Sequence, residues 1–393
     1  MGIFSSNKDK SELVLVFDIG SSTVGGALFW TDKIGVPKIV FSVREQIPLE
    51  EDIEADKFFS STIKTLSIVS KKVHEAGIGA PKEIFCVLSS PWHVSQTRVI
   101  RFEKDEPFLF TSKFALNLIQ KEISIFEAEY LSKYPGAKTS VRSIEYKTIK
   151  TMLNGYETSK PLDQKTKELQ MTIFISIGEE GILKKIEETV RESFHFKQIK
   201  FSSFLLASFA VVRDLYSHQD SFLLVDVGGE VTDISMMKKN MLRESISFPS
   251  GYNFMIRGLA KETHSTYDEA KSSISLLKDG HAAPEAMKTS GSILEKLKTE
   301  WLSSFQTSLS RLTNDIYVPS TIYLVVDESM AEFFSGIIKN EQFNQYTLAE
   351  SKFEVVFLGA GIFHGLATFE EDVIRDPKVI IDAIYFNRFL NRI

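Results

Sequence analysis

The sequence predicts an α/β protein whose core is built twice, with a small α+β module set into the first half. Three observations carry that expectation. Short apolar runs at 13–17 and 222–225 each end in an Asp-x-Gly turn, Asp18-Ile19-Gly20 and Asp226-Val227-Gly228, 208 residues apart. Between about 81 and 201 the texture changes to alternating stretches such as Met171, Ile173, Ile175 and Ile177, the mark of strands with one buried and one wet face. Beyond the second turn the chain is mostly of helical periodicity.

Each element follows from its own residues. The run 13–17 has the length of a buried strand, and its turn (Gly20, Ser21, Ser22, Thr23) consists of small residues that leave backbone N–H groups open. Strands are expected at 25–30 and 38–47, the latter alternating Ile39, Phe41 and Val43. A helix follows, with Asp52, Glu54 and Asp56 near its start, the stripe Phe59, Ile63, Leu66, Val69, Val73 and Ala76, and Gly77 as its stop. In the insertion, strands at 83–89 and 97–103 lead to a helix carrying Leu116, Ile119, Ile123, Phe126 and Tyr130. Extended stretches at 141–153 and 169–177 flank a polar segment, 155–170, read as an exposed loop, and a helix at 181–194 closes the group. After the second turn, Thr266-Tyr267-Asp268-Glu269 reads as a capping box. A helix over 291–315 presents Leu294, Leu297, Trp301, Phe305, Leu309 and Leu312 on one stripe, and strands are expected at 321–326 and 352–358.

Composition narrows the function. At 393 residues, 43% hydrophobic with 31 Phe, the chain can bury two or three cores of about 150 residues each. A net charge of −6 argues against nucleic acid as a partner. The single cysteine, Cys86, excludes an internal disulfide framework, and its apolar strand makes it a small core residue rather than a nucleophile. A reducing, cytoplasmic compartment fits. The seven histidines show no metal-ligand spacing. The longest uncharged apolar stretch, 201–212, falls short of the roughly 20 residues that span a bilayer. The N-terminus lacks a secretory apolar region; Gly2 with Ser6 fits the short and common myristoylation pattern, and a flexible polar start is the preferred reading. At the other end Val379, Ile380, Ala383, Ile384, Phe386, Phe389, Leu390 and Ile393 form an apolar stripe, with Arg388, Asn391 and Arg392 near its end. Core packing is preferred over membrane contact, because Asp376-Pro377 leads straight into the helix.

A strand that delivers Asp into a Gly/Ser/Thr turn can do two jobs. The N–H groups of the turn can cradle phosphate oxygens, and the carboxylate can hold a divalent cation through water. The alternative for each aspartate is plain turn capping. Two such turns in two halves make the phosphate reading the stronger one.

Asp18-Ile19-Gly20-Ser21-Ser22-Thr23 resembles the phosphate-1 motif of the actin-like ATPase superfamily, and Asp226-Val227-Gly228-Gly229-Glu230-Val231-Thr232-Asp233 resembles its phosphate-2 motif. Within the superfamily the chain looks most like the FtsA family, which tethers the bacterial division ring, and also resembles the PilM family of type IV pilus machines. Residues 144–156, ending in Asn154-Gly155-Tyr156, resemble part of the small FtsA subdomain, and Phe248-Pro249-Ser250-Gly251 with Gly258-Leu259 resembles the segment after phosphate-2. The resemblance implies a duplicated actin-like (ribonuclease H-like) core with an inserted FtsA-type subdomain. Its boundaries would be 1–81 (subdomain IA), 82–200 (the insertion) and 201–393 (the second half, with IIB at about 240–318).

It further implies ATP with Mg²⁺, the cation held through water by Asp18 and Asp226. Phosphates would lie against Gly20, Ser21, Ser22 and Thr23 on one side and Gly228, Gly229, Glu230 and Thr232 on the other, with Gly251 and Lys271 completing the nucleotide site. The implied role is nucleotide-dependent assembly into dimers or filaments and recruitment at the inner face of the cell membrane. The partner would be an FtsZ-like protein or a membrane protein of division; the PilM alternative is a cytoplasmic adaptor that binds a peptide of a membrane partner.

Departures from the family pattern are equally specific. Glu230 stands where the family keeps a glycine, and Lys271 and Ile274 replace an acid and a lysine that should grip the nucleoside. The adenosine turn could follow 322–326, at Asp327-Glu328-Ser329, or be Leu358-Gly359-Ala360-Gly361; element order favours the first. No acid or amide occupies Phe201-Ser202-Ser203-Phe204, where a water-orienting residue would stand, so at most a weak ATPase is expected.

Overall fold

The structure, a computed structural model, describes residues 11–32, 35–133, 140–195, 198–278, 281, 284–312, 317–340 and 352–388. The myristoylation-like Gly2 and Ser6, helix positions 313–315, and Phe389 to Ile393 lie outside the described residues.

In the first half, β1 (Leu13–Ile19), β2 (Thr23–Trp30) and β3 (Lys38–Gln46) form an antiparallel meander, α1 (Ala55–Glu75) crosses over, and β4 (Glu83–Leu88) returns parallel to β1. All seven residues of β1 are buried, which is why it reads as an unbroken apolar run and not as an alternation. α1 presses Val69 against β2 at Gly26, where a Cβ would stand 2.7 Å from a Val69 methyl carbon.

The insertion has a sheet of its own. β5 (Val94–Phe110), α2 (Ser112–Lys133), β6 (Val141–Leu153), β7 (Tyr156–Glu157) and β8 (Gln164–Glu179) give an antiparallel order β5-β8-β6-β7. α2 seals one face with Ile119, Ile123 and Phe126 over Ile173, Ile175 and Ile177. Asn154 and Gly155, at φ 47° and 81°, turn β6 into β7, and Asn154 Oδ1 accepts from the N–H groups of Lys167 and Glu168. β8 begins inside the 155–170 stretch expected as a loop, because Gln164 to Thr166 pair with Phe108 to Phe110 of β5; a ladder between distant segments overrides their polar composition.

α3 (Glu180–Ser193) and β9 (Lys200–Ser203) return to the first half. Leu183, Ile186 and Val190 share a core with Phe17 and Ile84, and β9 pairs with β4. β4 and β9 are thus strands of the first sheet and α3 packs into its core, while the separate four-stranded sheet is drawn from residues 94–179.

The second half comprises α4 (Phe204–Leu215), β10 (Phe222–Val227), β11 (Thr232–Lys238), β12 (Met241–Phe248), α5 (Tyr252–Thr263), α6 (Tyr267–Lys278), α7 (Pro284–Leu312), β13 (Thr321–Val326), α8 (Ala331–Asn340) and β14 (Glu354–Phe357). Then β15 (Thr368–Phe369) and α9 (Pro377–Arg388) cross back to the first sheet. The capping box holds at α6: the Thr266 N–H donates to Glu269 and the Glu269 N–H to the Thr266 hydroxyl. Trp301 of α7 is fully buried, its indole N–H donating to the Ser250 carbonyl at 3.1 Å.

The two sheets repeat one order. β3-β2-β1-β4-β9 in the first matches β12-β11-β10-β13-β14 in the second: three antiparallel strands, then two parallel. α9 is packed in the core, with Val379, Ile380, Ala383 and Ile384 fully buried and Phe386 stacked on Phe85 at 3.8 Å. No helix among the described residues is long and apolar enough to cross a membrane.

Candidate functional site

The duplicated topology brings the two Asp-x-Gly turns face to face. Asp18 lies across from Gly25 on the antiparallel side and Val87 on the parallel side; Asp226 lies across from Asp233 and Val325 in the same way. Each turn closes by the same bond, Gly20 N–H to the Thr23 carbonyl at 3.0 Å and Gly228 N–H to the Val231 carbonyl at 2.9 Å. The sequence-predicted Asp18, Gly20, Ser21, Ser22, Thr23, Asp226, Gly228, Gly229, Glu230, Thr232 and Gly251 all gather here.

The turns touch each other. The Glu230 N–H donates to the Ser21 hydroxyl at 3.1 Å. A Cβ on Gly229 would stand 2.5 Å from Ser22 Cβ, and one on Gly251 only 2.1 Å from the Gly228 carbonyl oxygen. α5 starts at that contact. Its first N–H groups, those of Tyr252 and Asn253, donate to the Gly228 and Gly229 carbonyls at 2.9 Å each. Helix N-terminal donors of this kind are what a phosphate would use; here the second turn already takes them.

Glu230 is turned away from the first turn. Its carboxylate accepts from Asn253 Nδ2 at 2.8 Å and from both terminal nitrogens of Arg257, one at 2.9 Å. The Thr232 hydroxyl donates to the Ser250 carbonyl at 2.7 Å. Lys271 sits half-buried on α6 and makes no hydrogen bond or ion pair to the described residues, while Ala270 and Ile274 beside it join the second-half core.

Two cations from outside the motifs occupy the aspartates. Arg44 of β3 donates to Asp18 Oδ2 and to the Thr23 hydroxyl, both at 2.7 Å, and its Nε to Asp376. Lys378 of α9 lies 3.1 and 3.3 Å from the two oxygens of Asp226 and 4.7 Å from the Phe204 ring centre. Burial works against the charge on both cations, yet Asp376 and Asp18 hold the Arg44 guanidinium above its ordinary value, and Asp226 and Asp18 do the same for Lys378. Burial pushes Asp226 up, offset by Lys378. Asp382, on α9, is fully buried, and neither of its carboxyl oxygens has a hydrogen-bond partner among the described residues; burial, with the Asp18 charge adding to it, pushes this carboxyl well up from its ordinary value.

Sequence reasoning missed Arg44, Arg257, Asp376, Lys378 and Asp382, and also Glu145. The last reaches from β6 of the module to the strand where a water-orienting group was sought, accepting from the Ser202 and Ser203 hydroxyls and the Ser203 N–H. Burial raises the Glu145 carboxyl. Cys86 is buried, and burial pushes its thiol up, as a core residue requires.

No protein-family model matches the chain, and no curated relative does. Among solved structures it is similar to the PilM–PilN type IV pilus biogenesis complex, at a TM-score of 0.58 and 12% identity over 95% of this chain and 96% of that one. The fold is the actin-like ATPase fold. Looser likenesses are the ethanolamine utilization protein EutJ from Carboxydothermus hydrogenoformans (TM-score 0.41, 9% identity, 95% and 88% covered) and a Bacteroides thetaiotaomicron protein with an actin-like ATPase fold and unknown function (0.41, 8%, 95% and 96%).

Actin-like ATPases hold Mg²⁺ and ATP between two such turns. The residues here do not fit that group as they are placed. The turns are in direct contact, and Arg44 and Lys378 lie on the carboxylates that should face the metal.

Proposed function

We propose that the chain is an actin-fold adaptor of PilM type. It binds an extended peptide of a membrane-linked partner beside its inserted module and joins its two halves by its own ion pairs, with slow or no ATP hydrolysis. The single observation that carries this reading is a groove of about 830 Å³ between the module and the first half. Two sheet edges border it. β9 ends the first sheet, and β6, which β7 covers only at Met152 and Leu153, leaves its 142–146 edge without a strand partner among the described residues. Such edges accept an extended peptide through main-chain hydrogen bonds while side-chain pockets add specificity. Phe85 and Phe201 supply apolar surface under Lys200 and Arg142, whose charged groups lie 5.3 and 5.6 Å from the ring centres.

The fold likeness to a PilM–PilN complex supports this adaptor over the FtsA-type division role that the motifs first suggested, since that complex pairs such a fold with a partner protein. Self-association, if it accompanies partner binding, does not require nucleotide on this reading. The groove can be tested by selecting 12-residue peptides from a displayed library against the whole chain. Selected peptides are expected to lose at least tenfold in affinity for Tyr146→Glu and Lys200→Glu, both on the groove wall. Peptides that bind the variants as well as the wild type would place recognition elsewhere.

A further inference from the structure

A second cavity, of about 490 Å³, is lined by the turn after β4, the first residues of β5, the start of α4, and β11 and β12 of the second half. It shares no lining residue with the peptide groove. Its size is that of a small-molecule site.

One wall is a patch of four side chains set by strand register. Across the β11–β12 ladder Asp233 stands opposite Ser247, and Ser235 opposite Ser245. Residues two apart on a strand share a face, and all four line the cavity. Ser90 joins them from the turn after β4, donating to Asp233 Oδ1 at 2.8 Å, and Ser247 donates to the same oxygen. Asp233 Oδ2 has no hydrogen-bond partner among the described residues.

The protons of this wall can be counted, since each hydroxyl has one proton and two lone pairs. Ser90 and Ser247 commit theirs to Asp233, so these two hydroxyls and Oδ2 can only accept from a ligand. Ser235 and Ser245 bond each other at 2.9 Å, which uses one of their two protons and leaves the other free to donate. Ser89, also in the lining and only 5% exposed, has a hydroxyl with no partner among the described residues. Acceptors and donors are therefore mixed at close quarters: cross-strand neighbours on one face stand about 5 Å apart and neighbours along the strand about 7 Å.

Net charge favours neither sign of ligand. Asp226, in the same lining, is already paired with Lys378, and the two carboxylates of the lining are matched in number by Lys133 and Arg311.

We propose that this cavity binds a small neutral ring polyol, whose hydroxyls donate to Asp233, Ser90 and Ser247 and accept from the Ser235–Ser245 pair. Every hydroxyl of such a ligand both donates and accepts, as this wall requires, whereas an ammonium has no acceptor and a carboxylate no donor. A ring also holds its hydroxyls in fixed directions, so less ordering opposes binding.

Calorimetry on the full chain at neutral pH tests it with four six-membered-ring probes: neutral myo-inositol, anionic quinate, cationic glucosamine, and cyclohexanol with its single hydroxyl. Myo-inositol is expected to bind with a dissociation constant of about 1 mM or tighter, at least tenfold tighter than cyclohexanol and about threefold or more tighter than either charged probe. Asp233→Asn, which replaces a charged acceptor by a neutral one, should weaken it about fivefold or more. Ser245→Ala, on the half-buried outer strand of the sheet, should weaken it about threefold and serves if the first variant fails to fold. No heat from myo-inositol up to about 20 mM, binding of any control probe as tight as that of myo-inositol, or unchanged binding by the folded variant would overturn the proposal.

Discussion

Lys378 reaches from α9 to Asp226 at the end of β10, so α9, seated on the first sheet, is ionically fastened to the central strand of the second. The pair is 18% and 11% exposed at its side chains. Removing one partner of such a buried pair leaves an uncompensated charge, at a cost of about 3–5 kcal/mol. Denaturant unfolding of Lys378→Met should show a loss of that order, and Asp226→Asn added to it should recover most of the loss. Additive losses in the double variant would mean that the two residues do not act as a pair.

Glu230 stands where the phosphate-2 motif that this turn resembles carries a glycine. Glu230→Gly should destabilise the chain by ~3 kcal/mol, because Arg257 and Asn253 lose their common acceptor. It should not create ATP affinity, since Ser21 and Ser22 still abut Gly228 and Gly229. Recovery of ATP binding in this variant would show that charge alone, and not the closed turns, keeps nucleotide out.

The pH dependence follows from Asp233. Burial, with the Asp226 charge adding to it, raises this carboxyl to about 6 from an ordinary value of 3.8, against the opposing bonds of Ser247 and Ser90. The folded state therefore holds the proton more tightly than the unfolded one. The stability this contributes is full below about 3.8, falls as pH rises, and is lost above about 6. Asp233→Asn should unfold at a higher temperature than the wild type at pH 7.5, by an equivalent of about 1–3 kcal/mol, and match it near pH 4. A thermal-shift series in matched buffers reads this; a variant less stable at pH 7.5 would contradict it.

How much of this could be read from the sequence depends on whether a feature is local. The Asp18 and Asp226 turns, the α1 stripe and the Thr266–Glu269 capping box are written in neighbouring residues, and they stand where periodicity puts them. Features made by distant pairing were not legible. The 164–166 strand exists because β5 pairs with it, and β4 joins β1 rather than the module because both are buried side by side. The site was half legible for the same reason. The carboxylates announced themselves in the turns, but the cations that meet them come from Arg44 in a plain edge-region strand and Lys378 beside a proline, with 332 and 152 residues separating Arg44 from Asp376 and Lys378 from Asp226. A motif match reports the backbone that could hold phosphate; it does not report what fills the space.

The central claim is that the chain's own charges, and not a nucleotide, join the two halves. Thermal unfolding with and without about 5 mM ATP and Mg²⁺ tests it most directly, because a ligand bound with a dissociation constant of about 50 μM would add roughly 2.7 kcal/mol of stability at that concentration. The expected result is no shift, in the wild type and in Asp18→Ala alike. A saturable rise in the wild type that Asp18→Ala abolishes would contradict it, and would return Asp18 to the role its motif suggests.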